Sequence, residues 1–501
     1  MGFFTKSKPV PPPRVPTDTV MPASLWDNWE IGRTWCLHYC YRFNDVLDPS
    51  QLRISLERLM QIGEWKRLGA RMRLNSNGVV EYHIPDRYHE RRPGFTFTVT
   101  KYDISLEQHQ LSGEFPRATA KPSVQGSQED VMRSLCLHPD HPRTLDDWLY
   151  SDRPLLDIHV VAFEDATLVT ITFMHLVTGA SGMRQILRAW SDVLNGHEDE
   201  VGALEGIGDD LLTDHTYESE PNQYVHYNRR LTGFKKLVFL VYALWDWFWL
   251  PAAESRLICI PGVYVDGMRD QAIQDISQGA APGQKSPFIS DGDVLLAWTT
   301  RTVVKALGAS PSRPLSVLNV FNSRATLLQK SASDRTAFIT NACLMWPTFL
   351  SVGDAINLSL GHLAWQFRTS LTQQRTKAQC QAQLAMKRHG LIETDSAPFC
   401  VDPTSVLVGC TNWHRARFYD IDFSSAVRCP KRPLVGHGSR IGRPASILVS
   451  TDLTGPGIPN LGNVFGKDGD GNWWLTWSLS NQAWPAFQQE LESLGTENDR
   501  R

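Results

Sequence analysis

A surplus of basic residues is missing from this sequence: 50 Lys and Arg stand against 53 Asp and Glu, for a net charge of −3. With no excess to neutralise a phosphate backbone, nucleic acid is not an expected partner. Long apolar runs are missing as well. The longest, Leu237 to Leu250, has 14 residues and is broken by Asp246, whereas about 20 are needed to span a bilayer. Cysteines number only nine, scattered and odd, which argues for reduced thiols in the cytoplasm rather than a disulfide framework. No G-x-S-x-G elbow, P-loop, G-x-G-x-x-G or H-E-x-x-H occurs. Serine hydrolase, nucleotide-driven and metalloprotease chemistry lose their usual support.

What is present is an ordinary globular composition, 42% hydrophobic and 21% charged over 501 residues, long enough for two domains. The Pro-rich start, residues 1–17, lacks the apolar core and cleavage site of a signal peptide and reads as a flexible leader. An N-terminal domain is expected over 18–215, a crossover over 216–285, and a C-terminal domain over 286–501. TWCLHYCYRF reads as a strand. DPSQLRISLERL is an amphipathic helix opened by Asp48 and a proline. RMRLNSNGVVEYHI reads as a hairpin turning at Asn77-Gly78, and 103–145 as surface loops. LLDIHVVAF and TLVTITFMH form a second hairpin. Met183, Ile186, Leu187, Trp190, Val193 and Leu194 then mark the apolar face of a helix that Gly196 ends. Residues 197–230 read as an irregular linker and 277–286 as a Gly- and Gln-rich loop. FISDGDVLLAWTTR opens a helix capped by Ser290 or Asp291. LSVLNVFNSRATL is a strand, 352–390 is helical, and VLVGCTNWHRARFYDIDF is expected as two strand-like runs about a polar turn.

Three segments invite a ligand and are read structurally instead. Cys36, His38 and Cys40 share one face of a strand with no second ligand pair nearby, and the HPDH loop (His138 to His141) is equally isolated, so no metal is expected. DGDGNWWLTWSL begins like a calcium loop, but Leu479 stands where the closing acid belongs; a hairpin feeding a Trp-rich strand is expected. The apolar helix 237–250 is expected to pack between domains, with an interfacial membrane helix or a lipophilic-substrate surface as the alternative.

The stretch FMHLVTGASGMR (173–184) carries the chemistry. A buried strand ends in His175, and small residues then leave space before a helix. A neutral imidazole there can take a proton from a hydroxyl or amine.

FMHLVTGASGMRQILRAWSDVLNG resembles the H-x-x-x-D region of the acyl-CoA-dependent BAHD acyltransferases, especially their fungal secondary-metabolism relatives, with His175, Trp190 and Gly196 matching. CTNWHRARFYDIDFSSA, about 240 residues on, resembles the family stretch T-S-W followed by D-F-G-W-G at Thr411, Trp413, Asp422 and Phe423. The likeness runs from about residue 20 to 490. It implies an α/β mixed fold of two chloramphenicol-acetyltransferase-like domains with a channel at their interface. It also implies His175 as base, Thr411 as a residue orienting the acceptor or meeting the oxyanion, acyl-CoA as co-substrate, and no permanently bound cofactor. Two departures stand out. Gly179 replaces the motif aspartate, which in the family pairs with an arginine at a position like that of Arg324. Arg324 is therefore expected to find another partner, be more exposed, or bind an anionic substrate group. The second motif reads Ser424-Ser425-Ala426 in place of G-W-G. The expected function is acyl transfer to a hydroxyl or amine of a lipophilic secondary metabolite, by a cytoplasmic monomer or one held at a membrane through 237–250. The alternative is a repurposed channel that promotes a non-acyl step such as cyclisation.

Overall fold

The computed structural model describes residues 10–249, 253–277, 288–328, 335–394, 396–428, 440–454 and 460–498. Most of the Gly- and Gln-rich loop, the first nine residues of the leader and Leu250 lie outside them.

Two sheets form the frame. In the first, Trp35–Phe43 is flanked by Thr167–Met174, which continues through Asp157–Ala162 to Thr96–Lys101. These strands are rich in β-branched and aromatic residues, and Thr167–Met174 is buried along its whole length, as befits the middle of a covered sheet. The second sheet has seven strands: Cys343–Ser351, Pro314–Asn322, Val406–Asn412, Leu461–Lys467, Trp473–Ser480, Ala253–Ile260 and Ser123–Ser127.

Each sheet takes its last strand from the other half of the chain. Pro444–Leu453 runs antiparallel along the free edge of Trp35–Phe43, and Ser123–Ser127 pairs with Ala253–Ile260. Residues 103–145 are thus not merely surface loops. They hold this crossing strand, and Val131, Met132, Leu135 and Cys136 behind it are buried. The strand itself, SVQGS, has no apolar alternation because it is an edge, so its sequence signalled a loop.

Helices cover the sheets as their patterns dictate. Asp48 caps Pro49–Leu59, its carboxylate accepting the Ser50 N–H at 2.8 Å. Ala180–Leu194 buries Met183, Ile186, Leu187, Trp190 and Val193. The Trp190 indole N–H of that helix reaches the Leu52 carbonyl and the Ser55 hydroxyl. Ser290 caps Asp291–Ala306 in a reciprocal box with Asp293. The hairpin at Gly78 forms, with that glycine at φ 74°, and Asp468–Asn472 turns between two strands of the larger sheet. Two expectations fail. After Val406–Asn412 the chain makes tight turns instead of a second strand, with Arg417 at φ 50° redirecting an otherwise alternating pattern. The apolar helix, Phe234–Trp249, is not packed between domains: it has no buried residue.

Candidate active site

His175 follows the last residue of the buried strand, Met174, and its N–H donates to the Trp35 carbonyl at 2.9 Å. The next N–H, from Leu176, donates to Gly32 at 2.9 Å. A Cβ on Gly32 would sit 2.0 Å from the Asp27 carbonyl oxygen, so only glycine lets these two segments lie so close. The imidazole stands edge-on to Trp35 at 6.1 Å. Among the described residues its buried Nδ1 finds no partner outside the residue itself. Burial, helped by the charge of Lys387 and opposed by the residue's own backbone carbonyl, holds His175 below the usual histidine range. The ring is neutral at working pH with a lone pair to offer.

The small residues after His175 do not leave open space. A Cβ at Gly179 would meet the Asn341 Oδ1 at 2.9 Å, and one at Gly182 would meet the Ile339 carbonyl at 2.7 Å. The segment 339–341, from the second half of the chain, has filled the gap. Asn341 donates its Nδ2 to the His175 carbonyl at 2.9 Å. The same amide nitrogen and the Asn341 backbone N–H both donate to Asp27 Oδ1 at 2.8 Å, while Ser24 donates to Oδ2 at 2.7 Å. Asp27 is buried, and desolvation raises its carboxyl to about 6 against the lowering pull of those bonds. An Asp–Asn pair thus braces the histidine turn.

Arg324 donates to the Thr340 carbonyl at 2.6 Å and is half-buried. Its partner is backbone, supplemented by the field of Cys343 and Asp27. Lys387 lies over the Trp29 ring at 4.1 Å, and burial brings its ammonium down to about 8, with Asp27 opposing. His175, Arg324, Cys343 and Lys387 all keep accessible surface, yet burial dominates the titration of each. Lys387 acts on both His175 and Cys343, and Arg324 on Cys343, so the four groups lie near one another. Sequence reasoning missed Asp27, Asn341 and Lys387, single polar residues whose partners lie far along the chain.

Thr411 lies in the strand Val406–Asn412, and its hydroxyl donates to the Asn463 side chain on the neighbouring strand. No hydrogen bond joins it to His175 among the described residues. The second motif is a clip. Asp422 accepts the Ser424 N–H at 3.0 Å and pairs with Arg443 at 3.0 Å. Its carbonyl takes bonds from Ser191 and Asn195 at the end of the first motif's helix. Phe423 packs 4.9 Å from Trp190 and stacks on Phe43.

Beside this clip opens a cleft of about 620 Å³, lined by His414, Arg415, Arg417, Asp420, Lys467 and Asp468 among others. Burial, then the charge of Lys467, lower His414 against the pull of Asp291. His175 is not among its lining residues. Elsewhere the fold brings His38 and His141 together with Asp452, their ligand atoms within 4.8 Å. His38 donates to or accepts from Thr172 at 2.8 Å and meets Asp452 at 3.2 Å, while His141 Nε2 takes a bond from Arg143 at 3.3 Å. These bonds tie the crossing strand to the first sheet.

A strand-end histidine, a downstream threonine strand and an Asp-Phe clip on two strand-exchanging sheets define a BAHD-type acyltransferase fold. F. graminearum TRI101, solved with coenzyme A and T-2 mycotoxin, matches at a TM-score of 0.64 with 14% identity, over 93% of this chain and 96% of that one. No family model matches the chain. In sequence it is 36% identical to acetyltransferase adrJ of Penicillium roqueforti over 99% of its length and 100% of that protein's. It is also 35% identical to a protein of Penicillium decumbens named transcriptional regulator calD, over 98% of each. The chain belongs to the family of fungal acetyltransferases that includes adrJ.

Proposed function

We propose that this protein transfers an acyl group from acyl-CoA to a hydroxyl or amine of a lipophilic fungal secondary metabolite, with His175 as general base. The observation that carries this is the neutral imidazole of His175 at the end of a buried strand, which keeps accessible surface and has Lys387 and Arg324 in the same part of the fold. His175 accepts the acceptor's proton as its oxygen or nitrogen attacks the thioester carbonyl. The carbonyl π electrons move onto oxygen, where the two cations supply positive potential. The C–S bond then breaks, and the CoA sulfur leaves with the proton that His175 returns. No acyl-enzyme forms and no metal or resident cofactor takes part. Thr411, held by Asn463, orients the acceptor. The domains 18–215 and 286–501, joined by the crossover 216–285, enclose the channel, and the cleft holding Arg415, Arg417 and Lys467 takes the phosphates of the donor. One chain builds the whole site and works as a monomer.

The rival reading, a repurposed channel for cyclisation, draws on Gly179. It loses weight because Asp27 and Asn341 brace the turn in the aspartate's place. Titration calorimetry with CoA and acetyl-CoA tests the donor half. Saturable binding that weakens at least ten-fold in the R415A/K467A variant is expected. Absence of binding to either ligand would sink acyl transfer and favour the rival. His175→Ala is expected to keep that affinity while turnover falls roughly 10²–10⁴-fold; undiminished turnover would remove the base from the mechanism.

A further inference from the structure

The helix Phe234–Trp249 (FKKLVFLVYALWDWFW) is the most apolar in the described chain, yet it lies in water. Leu237, Leu240, Val241, Leu244, Trp245, Trp247, Phe248 and Trp249 are all more than half exposed. Isolated exposed hydrophobes are commonplace, whereas a contiguous patch of this size marks an interaction surface.

Only a narrow stripe of the helix touches the body. Phe239 meets the Phe399 ring at 6.0 Å. Tyr242 lies under Arg313 at 5.5 Å, and both Asp246 carboxylate oxygens pair with the same guanidinium at 2.7 Å. Positions 239, 242 and 246 follow the three- and four-residue spacing of a single helix face. The one acidic residue of the helix is thereby turned inward and neutralised. The rest of the circumference presents leucine, valine, phenylalanine and tryptophan.

We propose that this helix lies in the interfacial layer of a phospholipid bilayer and holds the protein on the membrane surface. A protein partner normally covers a stripe of a helix; apolar side chains over most of the circumference suit a fluid phase that moulds to them. Three tryptophans and a phenylalanine crowd the C-terminal end, and tryptophan prefers the boundary between headgroups and acyl chains. Lys235 and Lys236 stand exposed at the other end, where lipid phosphates would meet them. At about 1.5 Å per residue the 16-residue helix is about 24 Å long, short of the roughly 30 Å hydrocarbon core, and no described helix is long and apolar enough to cross a membrane. It lies flat. The anchoring is independent of whether the reaction is acyl transfer.

The test is flotation of the full chain with phosphatidylcholine vesicles and with phosphatidylcholine–phosphatidylserine vesicles, alongside the variant L244S/W247S/F248S. The unmodified protein is expected to float with both kinds and to stay bound in molar salt. The variant is expected to partition at least ten-fold less, with its thermal midpoint and CoA affinity unchanged because none of the three side chains is buried. Failure to float with either vesicle overturns the proposal. So does binding only to serine-containing vesicles that salt abolishes, since that is adsorption without insertion. A doubled mass in lipid-free light scattering that the variant returns to one chain would assign the face to a second copy and equally overturn it.

Discussion

The turns at 175–179 and 422–426 are held in opposite ways. At 175–179 the support comes from far along the chain; at 422–426 it comes from the turn's own aspartate. His175 stands at its strand end, and its support is imported from Asp27 and Asn341, which lie 314 residues apart in sequence. Asp422 caps Ser424 and pairs with Arg443, and its carbonyl receives Ser191 and Asn195. The contrast teaches that the residues of a turn say little about its support until the space around it has been inspected. A carboxylate that shapes a loop can be replaced from anywhere in the fold, whereas a base must stand at its own position.

Breaking the imported brace should have the largest effect. Asn341→Leu removes two hydrogen bonds to the Asp27 carboxylate, one directly and one through altered backbone position, and orphans the His175 carbonyl. A loss of about 3 kcal/mol at neutral pH is expected in urea unfolding, with turnover falling alongside. Asp27 already titrates at about 6, above its unfolded value of 3.8, so the folded state binds this proton more readily than the unfolded one and stability falls as pH rises between the two values. The variant raises the carboxyl further. Its deficit should therefore shrink at pH about 4, where the group is protonated in the fold. A deficit independent of pH would show that Asp27 is not the group being supported.

Substitution at Gly179 sharpens the comparison. If acyl transfer is the reaction, the family resemblance has Gly179→Asp keep or improve activity. The structure predicts the reverse, because the new Cβ would lie 2.9 Å from an Asn341 oxygen that Asp27 and His175 hold in place. Destabilisation of about 1–3 kcal/mol is expected from overpacking. Pairing the substitution with Asn341→Ala should recover part of the loss, measured as a coupling energy in a double-mutant cycle. Additive effects would break the claim that Asn341 occupies the aspartate's place. The smallest effect belongs to the other turn. Asp422→Ala loses a half-exposed ion pair and one loop bond, worth about 1 kcal/mol, and should leave the pH dependence of turnover unchanged.

The histidine turn was legible because all its signals are local: a strand pattern, a histidine, small residues, then a 3.6-residue period. Asp27, Asn341 and Lys387 were not, since each is one polar residue whose meaning comes from a partner far along the chain. The run ARFYDIDF alternates like a strand but turns at Arg417, where tertiary packing overrides the period. SVQGS pairs as a strand without looking like one. The helix 234–249 was plain in outline, but an apolar sequence cannot say whether protein or another phase covers it. Asp246 anchors it through Arg313, a contact no spacing announces.

The exchange of edge strands has a consequence for the order in which the molecule is made. Trp35–Phe43 emerges from the ribosome early, but the strand that closes its edge, Pro444–Leu453, follows about 400 residues later. At roughly 5–20 residues per second that is a wait of about 20–80 s. Throughout it, a row of backbone donors and acceptors beside a tryptophan- and tyrosine-bearing strand stays open to any other extended chain. The nascent protein must be shielded by chaperones or by its own slow collapse until its final tenth arrives, and chains cut short before residue 444 are born with an unfinished edge.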